Sequence, residues 1–231
     1  LTAAIYFLFS FFSKDFSVKY VFYFVTMIIV ISVGIQSFLY LRYSPAYFFS
    51  EVDAVAQYGE IINTDEFKYG QSMFLFLYVL IGVIMNDIGA YFIGVLFGKH
   101  KMNEKISPKK TWEGFLGGVV FSLIFSTLFA IIVTYLGKPM LPIFDFKSGK
   151  YPLAVFFIIF ISVLLPVIAD VGDFIFSAIK RYWGVKDFSK ILPGHGGILD
   201  RLDSLIFSSA LVVCLITFIN LIVLPWFSST L

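Results

Sequence analysis

Four acidic side chains, Asp87, Asp170, Asp173 and Asp203, lie inside or at the ends of apolar runs. An aspartate in mid-span costs about 2.5–3.5 kcal/mol on insertion scales, so such residues usually face a polar cavity and a partner. From Asp173, Ser177 and Lys180 follow at i+4 and i+7 and form one polar stripe of a helix. Asp200 and Asp203 stand one helical turn apart, beside Arg201, where the last apolar run begins. The helix dipole accounts comfortably for one acid there, but not for two. Carboxylates drawn from two segments suit a hard divalent cation, and Mg²⁺ in particular keeps water and is completed by phosphate oxygens. For any single aspartate, an interhelical ion pair that only holds the bundle is the plainer alternative. Zinc does not fit, because His100, His195 and Cys214 are widely separated and lack ligand spacing.

Two further stretches could hold an anion. "KHKMNEKISPKKTWEG", residues 99–114, combines a lysine cluster with a segment that reads as a helix start, Ser107 capping and Pro108 in the first turn. Free amides there, with Ser107, Lys109, Lys110 and Thr111, would make a phosphate site. "LPGHGG", residues 192–197, would let backbone amides approach a phosphate closely, since glycine has no Cβ. A positive cytoplasmic loop and a flexible turn explain the same residues without chemistry.

These residues must be positioned by membrane helices. The 231-residue chain is 59% hydrophobic and only 14% charged, against about 25% charged in soluble domains. Thirty phenylalanines and a mean hydropathy of +0.92 exclude a water-soluble globule. The expected fold is all-α, a polytopic membrane bundle of about six segments plus an amphipathic helix carrying site residues. The segments are 1–12 (part of a span that begins before Leu1), 20–41, 72–97, 115–136, 152–168 and 205–227, with the amphipathic helix at 170–183. No signal peptide is evident. The single Cys214 sits in an apolar run as a packing residue. Residues 1–70 form an N-terminal membrane part with an acidic loop at 42–70, and 71–231 the catalytic part. The connections 98–114 and 180–201 each carry five lysines or arginines against two acids. The positive-inside rule puts both in the cytoplasm and the acidic loop outside.

The stretch "SAIKRYWGVKDFSKILPGHGGILDRLD", residues 177–203, resembles the signature of the phosphatidate cytidylyltransferases (CDP-diacylglycerol synthases). "NDIGAYFIGVLFGKHK" at 86–101 and "SPKKTWEGFLGG" at 107–118 are similar to two further blocks of that family. The resemblance implies an integral membrane enzyme that converts CTP and phosphatidic acid to CDP-diacylglycerol and pyrophosphate. It implies Mg²⁺, allows a monovalent cation such as K⁺ at a second site, and suggests a homodimer. The family's metal-binding aspartates fall on Asp173, Asp200 and Asp203. Asp170 departs from the family pattern, either as an extra carboxylate or as a partner to one, and Asp87 is left between orienting a lysine and binding a cation.

On this reading Lys180, Arg181, Lys186 and Arg201 neutralise the phosphates of CTP and lipid. Ser107, Lys109, Lys110, Thr111 and His195 are further phosphate contacts, and Ser177 lies in the same stripe. The expected setting is a cell inner membrane with the site facing the cytoplasm, and no nucleic-acid partner is expected. Other CTP-using lipid enzymes, a CDP-archaeol-type synthase or a polyprenol kinase, are the nearest alternatives. A transporter would instead place its charges near the bilayer midplane, often in paired repeats.

Overall fold

The computed structural model of the protein describes residues 18–43, 64–136, 151–189, 197 and 199–218. These form helices α1 (Val18–Tyr43), α2 (Thr64–Phe97), α3 (Trp112–Tyr135), α4 (Tyr151–Tyr182) and α5 (Leu199–Phe218). Between α2 and α3 lies an antiparallel hairpin of β1 (Lys101–Asn103) and β2 (Ser107–Thr111). The described chain is thus essentially all-helical. Its first four helices contain windows long and apolar enough to cross a membrane. In α5 the apolar stretch Leu202–Phe218 is shorter, and the expected continuation to 227 lies outside the described residues, as does segment 1–12.

Helix α3 shows how a membrane-type sequence packs. It is apolar all round, so size, not polarity, selects its inner face. Gly114, Gly117, Gly118, Ser122, Ser126 and Ala130 are buried, while Leu116, Val120, Ile124 and Leu128 point outward. In lipid, burying a leucine between helices gains little over leaving it among acyl chains, whereas small residues let backbones approach. Two of its polar members bond back to the helix: Ser126 Oγ donates to Ser122 O at 2.6 Å and Thr134 Oγ1 to Ala130 O at 2.7 Å. Between α2 and α4, the buried Tyr78 hydroxyl pairs with Ser162 Oγ at 2.7 Å. Leu75, Val79, Ile158, Ile161, Leu165 and Val212 fill the common core.

Three sequence expectations are corrected. Helix α4 is continuous from Tyr151 through Pro166 to Tyr182, so 170–183 is its end and not a separate amphipathic helix. In hydrocarbon the backbone must satisfy its own hydrogen bonds, which favours continuing the helix, and membrane bundles tolerate an internal proline. Helix α2 begins at Thr64, so the last residues of the acidic loop are already helical.

The third correction is at Ser107, which starts a strand and not a helix. Asn103 Oδ1 accepts from Lys105 N at 3.0 Å and Ile106 N at 3.2 Å, turning the chain back as an Asx turn does. Pro108, which has no N–H, falls where the strand register is irregular. Helix α3 is capped instead by Thr111, whose Oγ1 accepts from Gly114 N at 3.1 Å.

Candidate active site

The hairpin and the end of α4 meet through charge. Lys110 Nζ lies 2.5 Å from Asp170 Oδ1 and 2.9 Å from Asp173 Oδ2. The ring of Phe174 closes a third side, 5.1 Å from the ammonium. Asp170 is held in turn from α2, where Asn86 Nδ2 donates to its Oδ2 at 3.1 Å. Burial alone would push the Lys110 ammonium down, but Asp170 and Asp173 outweigh it and hold it above the ordinary lysine value. Ser177 Oγ donates to Asp173 Oδ1 at 3.3 Å, one turn along the predicted stripe.

The stripe's last member pairs elsewhere. Lys180 Nζ donates to Asp200 Oδ1 at 2.9 Å, and both side chains are nearly inaccessible. The other oxygen of Asp200 accepts from Phe188 N at 3.0 Å and Gly197 N at 2.9 Å. Burial opposes ionisation of Asp200, yet Lys180 and the two amides prevail and hold its carboxyl below the usual carboxylate value. Asp200 therefore ties the start of α5 to the end of α4 and to the connection between them. A Cβ at Gly197 would crowd this arrangement, coming within 2.7 Å of Ser189 Oγ and 3.0 Å of Asp200 Oδ2.

Asp203 Oδ1 accepts from Ser204 N at 2.7 Å. Its carboxylate lies within Coulombic reach of Asp173 and Asp87, and Asp87 within reach of Asp170 and Asp173. These oxygen donors suit a hard cation. Among the described residues no three acidic, histidine or cysteine side chains form a ready cage. Mg²⁺ asks for less, one or two carboxylates with substrate phosphates completing the shell.

Beside the Lys110 seat, a cavity of about 210 Å³ is lined by Asp87, Tyr91, Met102, Lys109, Thr111 and Asp170, among others. Arg181 donates from Nε to Ile106 O and from Nη1 to Val185 O, both at 3.2 Å, joining the two basic connections directly. Lys186 is exposed on the connection after α4. Ser107 is half-buried on β2. His195 lies outside the described residues, as does the side chain of Arg201. Just before the hairpin, Lys99 N and His100 N donate to Glu113, whose Oε1 also contacts His100 Nδ1 at 2.6 Å.

Sequence reasoning gave Asn86, Phe174 and Glu113 no role. For Asn86 a signal existed, since an amide inside an apolar run needs a partner as an aspartate does. Nothing in the spacing pointed to Asp170, which is 84 positions away.

The fold and site together define an integral membrane helical protein with an acid- and lysine-lined polar site at one end of its bundle. Within that class, the chain belongs to the Cytidylyltransferase family, which matches residues 1–219. It is 39% identical over 148 residues to the phosphatidate cytidylyltransferase of Bacillus subtilis, covering 64% of this chain and 48% of that protein. Identity to the Staphylococcus saprophyticus phosphatidate cytidylyltransferase is 42% over 131 residues, 57% of this chain and 44% of the relative. To the enzyme of that name from Mycobacterium tuberculosis (strain H37Rv) it is 41% over 128 residues, 55% and 34% respectively. The chain thus spans about half, or less, of the length of these curated relatives.

Proposed function

We propose that the protein transfers the cytidylyl group of CTP to phosphatidic acid, giving CDP-diacylglycerol and pyrophosphate. The observation that carries this reading is the meeting of two basic connections with the aspartates of α2, α4 and α5 at one end of the bundle. Lys110 on the hairpin contacts Asp170 and Asp173, and Lys180 contacts Asp200 across the helix pair. Two polyanionic substrates, one soluble and one anchored in lipid, need cations and a metal-binding acid set at the membrane surface. Membership of the family and the names of the relatives support the same chemistry.

The nucleophile is a phosphate oxygen of phosphatidic acid and is already anionic near neutral pH, so no strong general base is needed. It attacks the α-phosphorus of CTP and pyrophosphate departs. The protein's part is positioning and charge neutralisation. Asp173, Asp200 and Asp203 are the proposed metal set, Asp200 with the one lone-pair direction left by Lys180 and two amides. Mg²⁺ held there would supply neutralisation of phosphate charge, and K⁺ is proposed for a second site. Lys180, Arg181, Lys186 and Arg201 neutralise substrate phosphate, with Lys109, Ser107, Thr111 and His195 further out.

The wider architecture proposed has six membrane segments, an inner-membrane location, a site facing the cytoplasm, and a homodimer. The test uses full-length protein in detergent with phosphatidic acid and CTP labelled separately on the α- and γ-phosphates, with and without Mg²⁺. The expected outcome is Mg²⁺-dependent α-label in lipid and γ-label in pyrophosphate. γ-Label in the lipid would make the protein a kinase and end this reading.

A further inference from the structure

Lys110 has a seat that no simple phosphate contact requires. Its ammonium is enclosed by Asp170, Asp173 and the Phe174 ring. The two carboxylates differ. Asp170 is deep, its side chain 8% exposed, and its second oxygen is taken by the buried Asn86 amide. Asp173 is 34% exposed, and its carboxylate lies within Coulombic reach of Asp203 as well. One acid is thus dedicated to the lysine, and the other is shared between the lysine and whatever enters the acidic group.

We propose that Lys110 is a built-in counter-cation that holds Asp173 until a divalent cation arrives, and that Asp170 and Asn86 are positioning residues that retain Lys110 beside the site once Asp173 is given up. This deepens, and rests on, the reading of the acid group as a Mg²⁺ site. Without a cation, Asp87, Asp170, Asp173 and Asp203 would crowd negative charge into a low-dielectric pocket. A tethered ammonium relieves that repulsion at no cost in diffusion. When a divalent cation takes Asp173, the ammonium keeps its bond to Asp170 and remains at the wall of the cavity shared with Lys109 and Thr111, where an incoming phosphate would meet it. Lys110 thereby makes divalent binding weak alone and strong together with a polyphosphate.

The test measures Mn²⁺ binding by the loss of free-ion EPR signal, using full-length protein in detergent without nucleotide. Lys110→Met is expected to bind Mn²⁺ roughly tenfold more tightly than wild type, as removal of a competing unit charge at contact distance implies. Lys105→Met, which removes an exposed charge from the same hairpin, is expected to stay within about twofold. Lys110→Gln provides the same comparison with a polar replacement should the methionine variant not fold. Unchanged or weaker Mn²⁺ binding on loss of Lys110, an equal gain in Lys105→Met, or no Mn²⁺ binding in any variant overturns the proposal. The labelled-CTP assay decides the reaction separately, since the Mn²⁺ readout needs no turnover.

Discussion

At the scale of single residues, Lys180 and Asp200 form a pair in which neither can be removed without stranding the other. Their side chains are 10% and 7% exposed, so the pair is not a screened surface bridge. Asp200→Asn is expected to reduce turnover by about 100-fold or more, the usual scale for loss of a charge-stabilising group, while the protein still unfolds cooperatively in detergent. Near-normal turnover in that variant would take Asp200 out of the proposed metal set. The pair also sets an acid limit. A carboxyl held below its ordinary value adds stability that is present above the unfolded-state pKa and is lost as pH falls through the folded one. Thermal unfolding followed against pH should therefore show wild type more stable than Asp200→Asn at pH 7. The two curves should converge only below about pH 4, the ordinary carboxylate range. A constant offset down to the lowest pH would mean that Asp200 works through packing, not charge.

At the scale of elements, the close crossing of α2 and α3 is what places Asn86 on Asp170. A Cβ at Gly118 would lie 2.4 Å from Asn86 Oδ1 and 2.8 Å from its carbonyl. Gly118→Ala is expected to destabilise by about 1–3 kcal/mol, as overpacking does, and to lower activity by disturbing the Asn86–Asp170 contact. Leu128→Ala, on the outward face of the same helix, should leave both nearly unchanged. Comparable Tm losses in the two variants would remove the argument that size selects the inner face. This part of the fold was half legible in advance. Hydropathy marked the helices, but α3 has no amphipathic periodicity to mark its buried side. The hairpin was misread because "SPKKT" is locally as good a helix start as a strand, and the Asn103 turn with Thr111 as cap decided between them.

At the scale of the molecule, the hairpin and the α4–α5 connection share one end of the bundle, joined by Arg181 to Ile106 and by Lys110 to Asp170 and Asp173. Both must then lie on one side of the membrane. Lys105→Cys and Lys186→Cys, each in a Cys214→Ser background, should react with an impermeant maleimide in inside-out vesicles and be protected in right-side-out cells. Labelling of the two positions from opposite faces would break the proposed topology.

The sequence by itself determined that the chain lives in a membrane, where most of its helices run, and which polar residues had to find partners. Each of these follows from the free energy of moving a side chain between water and hydrocarbon, which is local to the residue. It also grouped Asp173, Ser177 and Lys180, because helical spacing is a local property. Only the tertiary structure decided which charge meets which. Lys110 went to Asp170 and Asp173, Lys180 to Asp200, and Asn86 to Asp170. Those pairings join segments up to 84 positions apart. They depend on how closely helices can approach, a matter of packed shape that no local pattern of residue types records.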